Sequence, residues 1–313
     1  MKKLMMTLAA GLFATAVVAQ VTSGNVVGYT TVTIPSNQWT MIGMQFDQVG
    51  DTNGIPVQDL FPNPQNSFKG TATAGDSAAA DNLMFWDPTF GVNGGYVTLY
   101  LFTHTATSGG NLTRKNKWRN GAVPNTVVWG AASDPSSYKV KPGDGFWIKR
   151  VAGSYANSNI VATVAGQVVV GGKSRVMREG WNLIAGSFTA PFVPNPDIAG
   201  TGPAIDWTGM GVAGTATAGD SASADNLMFW DPKFGANGGY VTLYYFTHTA
   251  TSGGNLTRKN KWRNGAVPNT VVWGAASDPS KYQAPLGNQG FWYKRLAGKG
   301  TFNLTEVQPY NLD

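Results

Sequence analysis

The sequence predicts an all-β protein built as two tandem homologous modules, each a β-sandwich or partly open barrel, after an N-terminal signal peptide. The 313 residues include 40 glycines and 17 prolines, and only 13% of them are charged. This composition, with many turn dipeptides between short apolar runs, favours strands over periodic helices. The stretch NLTRKNKWRNGAVPNTVVWGAASDPS at positions 111–136 recurs without a change at 255–280. A duplicated, turn-rich chain predicts two similar β-modules in series.

The internal repeat sets the domain organisation. Residues 70–137 align with residues 214–281, with five differences. The differing pairs are Ala79 and Ser223, Thr89 and Lys233, Val92 and Ala236, Leu101 and Tyr245, and Ser137 and Lys281. A repeat unit of this size is as large as a domain, so we expect each copy to own a hydrophobic core. We therefore place a first module at 20–165 and a second module at 166–313.

The first nineteen residues, 1–19, have the pattern of a secretory signal peptide. Lys2 and Lys3 precede an apolar run over residues 4–18 that ends in small residues. An uncleaved anchor is the alternative, but the run is shorter than the roughly 20 apolar residues that span a bilayer. We expect a mature chain without a membrane span, secreted or at the cell surface, in the extracellular space or periplasm of a Gram-negative type of bacterium. The chain has no cysteine, so ordinary hydrophobic cores must hold it together.

Short strands separated by turns follow one another through each module. In the first module we expect strands at 26–34, 39–46, 82–86, 96–105, 117–119, 126–131, 145–149 and 160–164. The second module closes with the matching strand at 301–307. Asn93-Gly94 and Asn120-Gly121 are dipeptides typical of hairpin turns. The region 49–73 lacks a strand pattern and is expected to hold a helical turn.

The strand at 96–105 has two different faces, because successive side chains of a strand point to opposite sides. One face is aliphatic and is expected in the core; it consists of Val97, Leu99, Leu101 and Thr103. The other face is aromatic, and we expect a second buried layer rather than an exposed platform for sugars, because large exposed apolar patches are rare. It consists of Tyr96, Thr98, Tyr100, Phe102 and His104. Trp39 and Trp181, which open matching strands, are expected to anchor the two cores.

Three motifs carry a resemblance to a known type of module. They are NVVGYTTVTIP at 25–35, the opening pair WTMIG at 39–43 and WNLIA at 181–185, and the closing pair GDGFWIKR at 143–150 and NQGFWYKR at 288–295. An opening Trp-x-x-Ile-Gly strand with a closing Gly-Phe-Trp strand resembles a secreted, mostly uncharacterised β-module of cell-surface and exported proteins of Gram-negative bacteria. The resemblance implies an extracellular β-rich domain and assigns no chemistry to it.

The sequence argues against a catalytic centre. The GDSA segments at 75–78 and 219–222 lack the glycines that let backbone amides face an oxyanion, so a turn is the better interpretation. His104 and His248, one in each copy, are expected to be hydrogen-bonded structural residues. The densest acidic cluster lacks the spacing of a calcium loop, and a calcium site assembled from several loops stays open as an alternative. The cluster consists of Asp76, Asp81 and Asp87, with Asp220, Asp225 and Asp231 in the second copy. We expect no cofactor.

The repeated stretch supplies the best candidate binding surface, which we name the basic hairpin. Each copy sets four cations around an indole; the residues are Arg114, Lys115, Lys117, Trp118 and Arg119, and Arg258, Lys259, Lys261, Trp262 and Arg263. The cations would pair with sulfate or carboxylate groups while the ring stacks on a sugar. The alternative is a solvated hairpin whose lysines protect a sheet edge from unwanted pairing.

Together these patterns predict a secreted, non-enzymatic protein with a structural, adhesion or glycan-binding role at the cell surface or in the extracellular matrix. The expected partner is an anionic or neutral polysaccharide, with self-association as a further expectation. The formal net charge of +6 is small, which together with export argues against nucleic acid as a partner. Two alternatives stay open. One is a secreted polysaccharide-active enzyme with an Asp/His site in each module, and the other is a filament subunit whose strand near Val26 pairs with a neighbour's open edge.

Overall fold

The computed structural model describes residues 26–90, 94–104, 115–120, 138–152, 158–195, 205–231, 239–248, 259–265 and 288–310. The strands are β1 (Val27–Ile34), β2 (Trp39–Gly43), β3 (Phe46–Asp47), β4 (Ile55–Pro56), β5 (Asn82–Asp87), β6 (Gly95–Phe102), β7 (Lys117–Asn120), β8 (Lys139–Val140), β9 (Gly145–Lys149), β10 (Ile160–Val168), β11 (Lys173–Met177), β12 (Gly180–Ile184), β13 (Asn226–Asp231), β14 (Gly239–Phe246), β15 (Lys261–Asn264), β16 (Phe291–Arg295) and β17 (Phe302–Glu306). Among the described residues one α-helical turn, α1 (Val57–Leu60), lies in the region where a helical turn was expected. The predicted all-β class is confirmed.

Two five-stranded antiparallel sheets with the same strand order form the bulk of the molecule. Main sheet 1 has the order β2-β9-β5-β6-β7, and main sheet 2 has the order β12-β16-β13-β14-β15. The register also repeats, because Leu83 faces Leu99 in the first sheet as Leu227 faces Leu243 in the second. The sequence duplication is thus a duplication of one sheet topology.

Each main sheet is covered on one face by a smaller antiparallel ribbon of two main strands, and the short β3 adds a third strand at one end of the first ribbon. Ribbon 1 consists of β1 and β10, and ribbon 2 consists of β11 and β17. In β10 every second residue from Ile160 to Gly166 is buried, as expected for a strand with one face on a core. Leu99 of main sheet 1 and Ala162 of ribbon 1 belong to one buried cluster, and Leu243 and Leu304 are the matching residues of the second module. Each module is therefore a sandwich-like pair of layers with its own core.

The two modules meet through the opposite faces of their main sheets. Met41 and Trp147 of the first module form one buried cluster with Leu183 and Trp292 of the second. The rings of Trp86 and Trp292 lie edge to face, 5.2 Å apart. A continuous aromatic and methionine layer thus joins the two sandwiches.

Two reciprocal backbone hydrogen bonds give this contact a local two-fold character. The Gly43 N–H donates to the Asn288 carbonyl at 2.7 Å, and the Ala185 N–H donates to the Gly143 carbonyl at 2.7 Å. Gly43 aligns with Ala185, and Gly143 aligns with Asn288, so each module gives the other the same bond. The interface is isologous, like that of a symmetric dimer, although it lies within one chain.

Glycines permit this close approach. A Cβ atom on Gly145 would lie 2.7 Å from the Ile184 carbonyl oxygen, and one on Gly290 would lie 2.9 Å from the Ile42 carbonyl oxygen. These two glycines open the Gly-Phe-Trp motif in each copy, and the two carbonyls also occupy equivalent positions. The motif glycine therefore serves the contact between modules.

Several expectations need correction or fall outside the described residues. Trp39 is 47% exposed and is not a core anchor, because strand alternation points its ring away from the sandwich core; Trp181 is half-buried at the contact between modules. Strand β10 runs to Val168, past the boundary placed at 165.

The segment 1–19, the Asn-Gly turns and the strand at 126–131 involve residues outside the described ranges. None of the helices in the described portion is long and apolar enough to cross a bilayer.

Candidate functional site

The basic hairpin forms the outermost strand of each main sheet. β7 pairs with β6, and β15 pairs with β14. Asn116 precedes β7 with φ 58° and Asn260 precedes β15 with φ 57°, a left-handed conformation that asparagine tolerates better than most residues. Arg114 and Arg258 lie outside the described residues.

The two hairpin tryptophans are core residues. Trp118 is 1% exposed and its ring lies 5.3 Å from that of Phe68. Trp262 is 0% exposed and its ring lies 5.0 Å from that of Trp207. Neither ring offers a face to a ligand in this structure.

The hairpin arginines are buried as well. Arg119 is 3% exposed, and its guanidinium carbon lies 4.2 Å from the ring centroid of Phe102. Arg263 is 1% exposed and lies 4.2 Å from the ring of Phe246. Cations this close to an aromatic face are held by the ring quadrupole. Arg119 and Arg263, which were expected to bind a ligand, therefore pack against the aromatic face instead.

The aromatic face of β6 is buried at Tyr100 and Phe102, as expected, whereas Tyr96 at its start is 36% exposed. Tyr100 and Phe102 are both 0% exposed and pack on Ala80. The loop that carries Ala80 is held by the Tyr100 hydroxyl, which accepts a hydrogen bond from the Gly75 N–H at 2.9 Å. This loop contains the GDSA segment, and the 3-10 turn Ser77–Ala79 begins within that segment. The segment is a structural cover for the sheet.

The outer edges of both hairpin strands are closed by an amide side chain from elsewhere in the module. The Gln58 amide donates to the Trp118 carbonyl at 2.8 Å and accepts from the Trp118 N–H at 3.1 Å. Asn195 makes the same two bonds to Trp262, at 3.0 and 2.8 Å. Each amide takes the place of a neighbouring strand at that position, so hydrogen bonding, and not only lysine charge, protects this edge. Lys117 remains exposed beside it.

The histidines stack on neighbouring aromatic rings, and Asp87 holds a local turn. His104 stacks on Phe102 with centroids 5.6 Å apart, and His248 stacks on Phe246 at the same distance. Asp87 accepts the backbone N–H of Thr89 at 2.8 Å in a local turn. No group of three or more potential metal-ligating side chains occurs in the described part of the chain.

Asp81 and Asp225 form the buried ionic centre of each module. Asp225 accepts hydrogen bonds from Arg295 at 2.6 Å and from the Tyr293 hydroxyl at 2.6 Å. Asp81 lies 3.7 Å from Arg150, and both side chains are 1% exposed. Burial raises the pKa of Asp81, against the opposing effect of backbone donors and of Arg150. Each aspartate accepts hydrogen bonds from backbone N–H groups of two separate segments and so connects these segments to each other.

The hairpin tryptophans and arginines are buried, so the remaining candidate for binding is an exposed tryptophan beside a lysine. Trp39 on β2 lies directly opposite Lys149 on β9, and the Lys149 Nζ lies 5.3 Å from the Trp39 ring centroid. The ring of Trp147 supports Trp39 edge to face at 6.0 Å. We name Trp39 and Lys149 Trp–Lys pair 1.

The second module repeats this arrangement. Trp181 lies opposite Lys294 in the register of β12 and β16, with the Lys294 Nζ 5.4 Å from the ring centroid. Trp181 also accepts a hydrogen bond at its carbonyl from the Trp86 indole at 2.6 Å. We name Trp181 and Lys294 Trp–Lys pair 2; its indole is less exposed than that of pair 1.

Comparison of this chain with protein-family models, with curated proteins and with solved structures finds no match in any of the three. A function must therefore be argued from the surfaces of the molecule itself. The residues of the Trp–Lys pairs were present in the sequence as the motifs Trp-x-x-Ile and Phe-Trp-x-Lys. Only the antiparallel register of two strands that are about a hundred residues apart in the chain places each lysine over a ring.

Proposed function

We propose that this chain is a secreted, non-enzymatic protein that binds an anionic polysaccharide at the cell surface or in the extracellular matrix. The observation that carries the proposal is Trp–Lys pair 1, a 47% exposed indole with an ammonium group 5.3 Å from its centroid. Structural residues bury the hairpin tryptophans but leave this ring accessible.

The pair has the two chemical features that a charged sugar needs. The apolar face of an indole packs against the C–H face of a pyranose ring and retains its geometry, because the side chain has few rotatable bonds. The neighbouring ammonium donates hydrogen bonds to a sulfate or carboxylate on the same or the next sugar unit. Edge-to-face support from Trp147 fixes the ring and lowers the ordering cost of binding.

Duplication gives the chain two such pairs on one rigidly packed body. A long polymer that reaches both pairs would gain affinity through effective concentration without any new kind of contact. The half-buried Trp181 offers less ring surface, so pair 1 is expected to contribute more than pair 2.

Co-sedimentation with dextran sulfate and with neutral dextran, at low and high salt, tests this function. We expect binding to dextran sulfate that weakens as salt screens the lysine charges. Trp39→Ala should weaken it by about five- to tenfold, the value of one aromatic contact, and Lys149→Gln should reduce its salt dependence. Lys117→Gln is the matched control, because that lysine is exposed on the basic hairpin.

Two results would overturn the assignment. Undiminished binding by Trp39→Ala and Lys149→Gln together with loss of binding by Lys117→Gln would move the site to the lysines of the basic hairpin. Release of new reducing ends from the polymer by the wild-type chain, abolished by His104→Ala with His248→Ala, would favour the enzymatic alternative.

A second candidate function, self-assembly, is favoured by the outer edge of β1. β1 is the end strand of its sheet among the described strands, and its sequence VGYTTVTI has neither a charged residue nor a proline. Natural edge strands usually carry one of these as protection against pairing. Sedimentation velocity of the mature chain should show concentration-dependent oligomers that Thr31→Lys, on the exposed side of β1, disperses. A monomer at every concentration would remove this candidate.

A further inference from the structure

The other edge of ribbon 1, along β10, exposes unpaired backbone groups. The Val168 N–H donates to the Val26 carbonyl at 2.7 Å, which fixes the alternation of the ladder, because hydrogen-bonded pairs recur at every second residue of an antiparallel strand. By this alternation the N–H and C=O groups of Val161, Thr163 and Ala165 point away from β1.

These three residues find no backbone partner on that side within the described part of the chain. β3 pairs with β10 only at Gln167 and Val168. Beyond that point the place of the next strand is vacant along the described chain, so three donors and three acceptors remain available at strand spacing. Unpaired backbone groups of this kind form a template for an added strand.

A groove lies where that strand would run. It has a volume of about 480 Å³ and separates β10 from the segment at 59–68, within the size range of ligand sites. Nine of its twelve lining residues are apolar in type, among them Leu60, Phe61 and Phe68 on one wall and Ile160, Ala162 and Ala165 on the other. Asp59 is the single charged residue of that lining and is exposed.

A second and much smaller space, of about 20 Å³, lies beside the end of β17 and is bordered by Phe188, Phe192 and Pro309.

We propose that this groove binds an extended segment of another polypeptide, which adds to β10 as a new strand. The segment would take its affinity from main-chain hydrogen bonds to Val161, Thr163 and Ala165, and its selectivity from side chains that alternate between the groove and solvent. A lysine or arginine at one end of the segment pairs with Asp59. This site is separate from the Trp–Lys pairs and does not depend on polysaccharide binding.

Amide hydrogen exchange on the full mature chain tests the vacancy of the edge. The N–H groups of Val161, Thr163 and Ala165 should exchange fast, whereas those of Ala162 and Val164, in the β1 ladder, should exchange slowly. Slow exchange at all five positions in the free protein would mean that the edge is already paired, and the proposal would fail.

Selection from a phage-displayed library of random seven-residue peptides tests the ligand class. We expect the enriched peptides to share alternating β-branched residues and a basic residue near one end. A synthetic peptide of the enriched sequence should slow exchange at Val161, Thr163 and Ala165.

Two variants link that peptide to the groove. Thr163→Pro removes an N–H that faces the groove and should weaken binding by about three- to tenfold, as expected for one lost hydrogen bond. Thr31→Pro is the matched control, because Thr31 lies directly opposite Thr163 in the ladder and its N–H faces the other edge of the ribbon. Ser67→Trp, which fills the groove from its far wall, should also abolish binding. Failure to enrich any peptide, or equal binding by wild type and Thr163→Pro, would overturn the proposal.

Discussion

The two main sheets and the two ribbons of this protein have diverged to different extents. The main sheets share their strand order, their buried Trp–Arg hairpins and their amide-capped edges. The ribbons share their position and their antiparallel pairing but differ in charge. Ribbon 1 is uncharged along β1, whereas β11 of ribbon 2 carries Lys173 and Arg175.

These two cations tie ribbon 2 to the first module. Lys173 forms an ion pair with Asp47 at 3.1 Å. Arg175 donates to the Gly143 carbonyl and pairs with Glu306. The cations of β11 thus serve the contact between modules, whereas among the described residues the outer edge of β1 and most of the β10 edge have no neighbouring strand. If the two proposals above hold, module 1 presents the groove and the more exposed Trp–Lys pair.

The largest expected loss of stability comes from the buried hairpin tryptophans, which belong to the part that is most similar in the two modules. Trp118→Ala and Trp262→Ala should each lower the free energy of unfolding by about 3 to 5 kcal/mol, because both rings are fully buried. Trp262→Ala should cost more, since Trp262 also contacts the rings of Trp207 and Tyr245. Urea denaturation measures these values, with Trp39→Ala as a control that should cost roughly 1 kcal/mol or less. Equal losses for Trp39 and Trp118 would contradict the burial described here.

The next largest effect is expected from the buried aspartates, whose removal should destabilise the two modules to different extents. Asp225→Ala leaves Arg295 buried without its carboxylate and should cost about 3 to 4 kcal/mol. Asp81→Ala should cost about 1 to 3 kcal/mol, because Arg150 lies farther from its aspartate and also donates to the carbonyls of Ile34 and Ser158. Thermal and urea unfolding of the two variants give the comparison. A larger loss for Asp81→Ala would show that the short contacts of Asp225 do not set the stability.

The interface glycines should have a smaller effect. Gly145→Ala places a methyl group against three backbone atoms of Ile184, whereas Gly290→Ala meets the flexible Met41 side chain as well as the Ile42 carbonyl. We expect losses of about 1 to 3 kcal/mol, greater for Gly145→Ala, because backbone yields less than a methionine. Gly172→Ala, whose added methyl meets only ordinary contact distances, is the control in the same unfolding experiment. No loss from either interface variant would refute close contact between the modules.

The smallest expected loss of stability comes from the ion pair between Lys173 and Asp47. Lys173→Gln removes an ion pair whose lysine side chain is 28% exposed, and it should cost under about 1 kcal/mol. The loss should shrink further at high salt, because the pair is partly screened. Unfolding at two salt concentrations measures it, and a salt-independent loss would indicate that the lysine acts by packing instead.

Sequence reasoning located most strands and both sides of β6, since alternation and turn residues are local signals. It placed Trp39 in the core and the hairpin tryptophans on a surface, and the structure shows the reverse burial. The reason is physical: a tryptophan fits either face of a strand, and adjacent charges do not tell which face is covered. Burial of Trp118 depends on residues such as Phe68, which lie far away in the sequence.

The sequence by itself determined the all-β class, the duplication and the pattern of inward and outward residues, because these depend on composition, turn chemistry and a two-residue period. Only the tertiary structure decided which sheet faces are covered, how Gly145 and Gly290 bring the modules together, and which part of β10 has no neighbouring strand among the described residues. Such features depend on which distant segments pair, and local pattern does not encode pairing between strands a hundred residues apart.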